Sequence, residues 1–212
     1  MDIRAAVTMP GDDQLPSFGH ALTISALTIS DFADQAVTLP LAVGTGLLLA
    51  ASGWRRGAIA WMVAIGATLG LIVLLKLRFF ACDGGNPSGH TAAAAAVYGG
   101  LAGLIAGAIR KDRRWAVGWA IVVGASLAAL VGQSRLTLDK HSVAEVVVGG
   151  VIGIGGAAGF VGVAGAPFAG IRIARIVAMG LVVVLLLHGV RLSAEETIKS
   201  MAPHFWPSSQ CV

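Results

Sequence analysis

The chain has 212 residues, of which 56% are hydrophobic and 12% charged, and its mean hydropathy is +0.82. That balance lies far outside the range of soluble domains and marks a membrane-embedded protein. The formal charge of +4 does not point to nucleic acid, because the basic residues fall in short clusters between apolar runs rather than along one polar face.

In chain order, Met1 to Gly19 is polar and carries acids where a cleavable signal needs a basic segment and an apolar core, so the first spans are expected to direct insertion. His20 to Asp31 is short and interrupted by Thr, Ser and Asp, which predicts an interfacial helix within an N-terminal segment, residues 1–35. Six apolar runs follow: Ala36 to Ser52, Gly57 to Leu75, Thr91 to Ile109, Trp115 to Val131, Val143 to Ala164 and Ile173 to Val190. Each is near the roughly 20 residues that a spanning helix requires. The predicted fold is all-α, a polytopic six-transmembrane helix bundle over residues 36–190, with a C-terminal tail at residues 191–212.

Lys and Arg collect in alternate loops: Arg55 and Arg56, then Arg110, Lys111, Arg113 and Arg114, then Arg172 and Arg175. Those loops are predicted to be cytoplasmic, which puts the N-terminal segment, Lys76 to Gly89, Ser134 to Lys140 and the tail on the outer face. Glycines recur at four-residue spacing, at Gly66 and Gly70, at Gly99, Gly103 and Gly107, at Gly149 and Gly153, and at Gly155 and Gly159. They predict close helix packing, because a helix without side chains along one line lets a neighbour approach. A nucleotide-binding glycine loop would need a strand before it, which an apolar span does not offer.

The two outer loops inside the bundle carry the chemistry. In Pro87-Ser88-Gly89-His90, Ser88 is a natural N-cap of the helix that follows, and a helix start offers free N–H groups and the positive end of its dipole. Ser88, Gly89 and His90 therefore form a candidate anion cradle, against the plainer reading of a capped turn with an exposed histidine. In the second loop Glu145 lies four residues after His141, on the same side of a helix beginning there, where its carboxylate can hold the imidazole tautomer. That pair suits nucleophilic work, the alternative being an incidental ion pair at a helix cap. Ionisable groups are costly beside a membrane, and their accumulation on one side favours the functional reading.

These residues resemble the type-2 phosphatidic acid phosphatase superfamily, which also holds vanadium haloperoxidases and bacterial acid phosphatases. Its second signature stands intact as Pro87, Ser88, Gly89 and His90. Its third, Ser-Arg, five residues, His, three residues, Asp, is matched by Ser134, Arg135 and His141, with Glu145 in place of Asp. The first signature is Lys, six residues, Arg-Pro. Lys76 supplies its lysine, but Asp83 and Gly84 stand at the last two positions, and Arg78 is the candidate substitute for the missing guanidinium. The resemblance covers about Gly57 to Ala164.

It implies metal-independent phosphoryl transfer, with no cofactor, through a phosphohistidine on His141 oriented by Glu145. His90 would serve as acid and then base, and Lys76, Arg135, Ser88 and the Gly89 N–H would bind phosphate. The implied partner is a phosphorylated lipid, such as undecaprenyl diphosphate, phosphatidate or phosphatidylglycerol phosphate. The implied place is a bacterial inner membrane, with the site on the periplasmic face. The alternative is an impaired member that binds or transports lipid phosphates, and a vanadate-dependent haloperoxidase fits poorly between membrane spans. Cys82 and Cys211 lack metal-ligand spacing and both fall on the outer face, which makes them a candidate disulfide.

Overall fold

A computed structural model of the chain describes residues 15–82, 85–165, 172–192 and 194–205, with side chains described from residue 21 onward. The described residues form eight helices and no strand: α1 (Leu15–Phe32), α2 (Gln35–Ala51), α3 (Arg55–Ala81), α4 (Gly89–Arg110), α5 (Arg113–Thr137), α6 (Val143–Ala164), α7 (Ile173–Leu187) and α8 (Ala194–Phe205). The apolar runs read from the sequence are all helical, but a count of six spans is not confirmed. Among the described residues five stretches are long and apolar enough to cross a membrane: Ala21–Ala51, Arg55–Ala81, Gly89–Arg110, Arg113–Thr137 and Val143–Ala164. The last apolar run gives only the 15 residues of α7. At about 1.5 Å per residue these reach roughly 22 Å, against a hydrocarbon core of about 30 Å. The run is cut short at its C-terminal end, where His188 turns extended and Gly189 takes a φ of +86°.

The stretch expected to lie at the interface is the longer helix α1, and it packs along α5. Near its end Ser30 and Asp31 are buried.

Helix α4 is the centre of the bundle. Ala92 to Val97 are all within 1% of complete burial, and their small side chains let α5 and α6 close on it from either side. Gly99, Gly103 and Gly153 lie at these seams, where an added Cβ would collide with Ala120 O, with Val161 and with Ala92 O respectively. Gly66, Gly70, Gly155 and Gly159 face open space, so four of the nine spaced glycines have no packing role among the described residues. A second anchor joins α2, α3 and α6. Trp61 is fully buried, donates its indole N–H to Ala42 O at 2.7 Å, and meets Phe160 edge-on at 5.0 Å. Outward-facing positions are apolar, Leu185 being 81% and Ile109 75% exposed, as a lipid-facing surface requires.

Candidate active site

The end of α3, the starts of α4 and α6 and the end of α5 meet at one end of the bundle. The local structure of each follows from its sequence. Ser88 caps α4: its Oγ accepts from Thr91 N at 3.4 Å and from Thr91 Oγ1 at 2.9 Å, and the residue is completely buried. Because Thr91 donates to that oxygen, the Ser88 hydroxyl keeps its own proton to give. Ser88 N donates to Glu145 O at 3.0 Å, which fastens this loop to α6. Ser142 caps α6 in a reciprocal capping box with Glu145, the Ser142 N–H donating to Glu145 Oε2 at 2.8 Å.

Glu145 is the hub. The same Oε2 lies 3.1 Å from His141 Nδ1, and Oε1 accepts from the Asn86 N–H. A carboxylate bound to Nδ1 keeps the proton there and leaves Nε2 with its lone pair. That Nε2 is buried and has no hydrogen-bond partner among the described residues. Burial, and then the Lys76 ammonium that faces it, hold the His141 imidazole below the ordinary histidine value, against the opposing pull of the Glu145 hydrogen bond. The ring is thus neutral at pH 7, as a nitrogen nucleophile must be.

Lys76 is buried at the last turns of α3, its ammonium bonded to Asn86 Oδ1 and its stem laid against Gly89. Arg135, near the end of α5, donates from Nη1 to Ser30 Oγ at 3.1 Å, while its buried Nε has no partner among the described residues. Lys76 and Arg135 both act electrostatically on His141. His90 stands one residue into α4, with Nε2 at 3.5 Å from Asp34 Oδ2.

The family model of the PAP2 superfamily matches residues 17–167. The chain belongs to this superfamily. It is also similar to a protein of Klebsiella pneumoniae described as an uncharacterized 22.5 kDa protein in the cps region, at 33% identity over 140 residues, which is 62% of this chain and 66% of that relative. No solved structure matches it.

Membership makes the chain a relative of phosphatases, and the geometry gathers Lys76, Ser88, Gly89, His90, Arg135, His141 and Glu145, the residues read as a PAP2 site from the sequence. Arg78 is placed differently. Two residues beyond Lys76, it turns to another side of α3 and donates to Cys82 Sγ, and it does not line the cavity that holds Lys76 and His90. Asp83, at the position of the superfamily's arginine, lies outside the described residues, as does Cys211 of the expected disulfide.

Three residues of the site escaped the sequence reading. Asp34 caps α2 through Ala36 N at 2.8 Å and holds His90 from beneath. Asn86 links Lys76 to Glu145, and Glu195 of α8 lies 3.4 Å from Lys76 Nζ. Asp34 had a legible signal, an acid at the threshold of an apolar run. Asn86 and Glu195 had none, since their contacts arise only from packing.

Proposed function

We propose that the chain is an integral-membrane lipid phosphatase that hydrolyses a phosphomonoester or diphosphate of a lipid through a phosphohistidine on His141. The observation that carries this reading is the state of that ring: Nδ1 held by Glu145, Nε2 buried with no partner among the described residues, and two cations, Lys76 and Arg135, acting on it electrostatically. Nε2 attacks phosphorus as the bond to the bridging oxygen breaks. Lys76, Arg135, the Ser88 hydroxyl and the N–H groups at the start of α4 take up the charge on the non-bridging oxygens. His90, with Nε2 turned to Asp34, gives a proton to the leaving oxygen from Nδ1 and then takes one from the water that cleaves the P–N bond. The position of the site at one end of an apolar bundle supports a lipid substrate, and the alternation of basic loops supports a periplasmic face in a bacterial inner membrane.

The test is phosphate release by purified protein in detergent from phosphatidate, phosphatidylglycerol phosphate and undecaprenyl diphosphate. His141→Ala and His90→Ala should each lose at least about a hundred-fold in turnover. Binding of these lipids without release would instead support a binding or transport protein. Because side chains supply the positive charge, EDTA should leave the rate unchanged and vanadate should inhibit. A rate lost to EDTA and restored by magnesium would contradict the mechanism.

A further inference from the structure

The first turn of α8 brings an acid to the phosphate side of the site. Besides its contact with Lys76, Glu195 acts electrostatically on both Arg135 and His141. Its placement is braced from both sides. Arg191, ahead of α8, makes a two-point ion pair with Asp31 at 2.6 and 3.1 Å, Leu192 N donates to Asp34 Oδ1 at 3.2 Å, and α8 packs along α3.

Between α2, α3 and α8 lies a cavity of about 260 Å³ that reaches His90. Leu39, Leu69, Ile72 and Ile198 make much of its wall aliphatic, and among the described residues lining it Lys76 is the one permanent cation and Glu195 the one acid. In the proposed reaction the bridging oxygen lies at His90, so whatever that oxygen carries enters this cavity. For an ester it is an alcohol on an apolar chain: the Nε2–P bond forms, the P–O bond breaks, the His90 proton goes to the oxygen, and a neutral alcohol departs along aliphatic walls. For a diphosphate the same bonds form and break, but the departing group is the lipid monophosphate, whose own phosphate stands where the ester has an alcohol oxygen. It would meet a carboxylate, and Lys76 is already shared between Asn86, Glu195 and the phosphoryl group in transfer.

We propose that Glu195, set in this cavity beside Lys76 and His90, selects phosphomonoesters of lipids over lipid diphosphates. The inference rests on the phosphatase reading and narrows its substrate class. Facing like charges are strongly unfavourable at close range, enough for discrimination on the order of tenfold or more.

The experiment compares a polyprenyl monophosphate with the diphosphate of the same chain, using full-length purified protein in mixed micelles and reading phosphate release. The expected kcat/KM favours the monophosphate by about tenfold or more. Glu195→Gln should reduce that ratio by a similar factor, mainly by raising the rate on the diphosphate, and Glu195→Lys should reduce it further; either variant suffices if the other is not recovered as monodisperse protein. A wild-type protein that prefers the diphosphate, or a ratio unmoved in these variants while both lipids are hydrolysed, overturns the selectivity and leaves the phosphatase standing. Release from neither lipid by wild-type protein overturns both.

Discussion

At the scale of single residues, the site contains two imidazole–carboxylate pairs of different origin. His141 and Glu145 are four residues apart, so their pairing was visible in the spacing, although α6 begins at Val143 rather than at His141 and leaves the histidine just ahead of the Ser142 cap. His90 and Asp34 are joined only by the packing of α2 against α4, so nothing in the local sequence announced it. The His141 pair has a pH signature. Burial and Lys76 hold the His141 value below about 6.5, so the nucleophile is neutral above it, and kcat/KM should fall as pH drops through it. Glu145 favours the protonated ring. Glu145→Gln should therefore move this acid limb to still lower pH while lowering kcat, and Glu145→Asp should retain more activity than Gln because it keeps the charge. A limb left in place in the pH–rate profile of Glu145→Gln would show that the carboxylate is not coupled to His141.

Asp34 acts one step removed, through the leaving-group proton. An aryl phosphate departs without help from an acid, whereas a lipid alkoxide does not. Asp34→Asn should accordingly cost on the order of ten-fold or more with a lipid phosphate and much less with p-nitrophenyl phosphate. A purely structural role, as cap of α2 and partner of Leu192 N, would lower both rates alike, and paired assays on one preparation distinguish the two.

At the scale of elements, the helices at the site are held by backbone contacts as much as by side chains. Gly149 of α6 lies on Ser88, and a Cβ there would collide with the Ser88 carbonyl oxygen, displacing the loop that caps α4. Gly155, on the same helix, has nothing within 4 Å of an added Cβ. Gly149→Ala should thus reduce phosphate release severely in protein that still inserts, while Gly155→Ala should leave activity and thermal stability close to wild type. Four-residue spacing made both glycines look alike in the sequence. What separates them is which side of α6 faces α4, and the helix is apolar around its whole circumference, so no amphipathic pattern told the sides apart. The cap of α4 was legible for the opposite reason. Ser88 precedes an apolar run and reads as its cap, whereas the Ser142–Glu145 capping box of α6 emerged only in the structure.

At the scale of the whole molecule, the two ends of the bundle differ in chemistry. One gathers the site. At the other, Arg56 closes the end of α6 by donating to Val163 O at 3.2 and 2.9 Å, and Arg110 stacks on Trp115 at 4.4 Å, close to Trp119. Arginines with exposed tryptophans form the kind of belt that anchors a protein at a membrane surface. Hydropathy located the helices because backbone groups in lipid must be bonded internally, and the last run, Ile173 to Val190, is helical as far as Leu187. The division of charge predicts which way the molecule faces. Lys140, exposed beside His141, should lie outside, and Arg113, exposed at the start of α5, should lie in the cytoplasm. In protein lacking its native cysteines, Lys140→Cys should react with a membrane-impermeant maleimide in intact spheroplasts, and Arg113→Cys only after permeabilisation. The reverse pattern would put the site on the cytoplasmic face and its substrates in the inner leaflet.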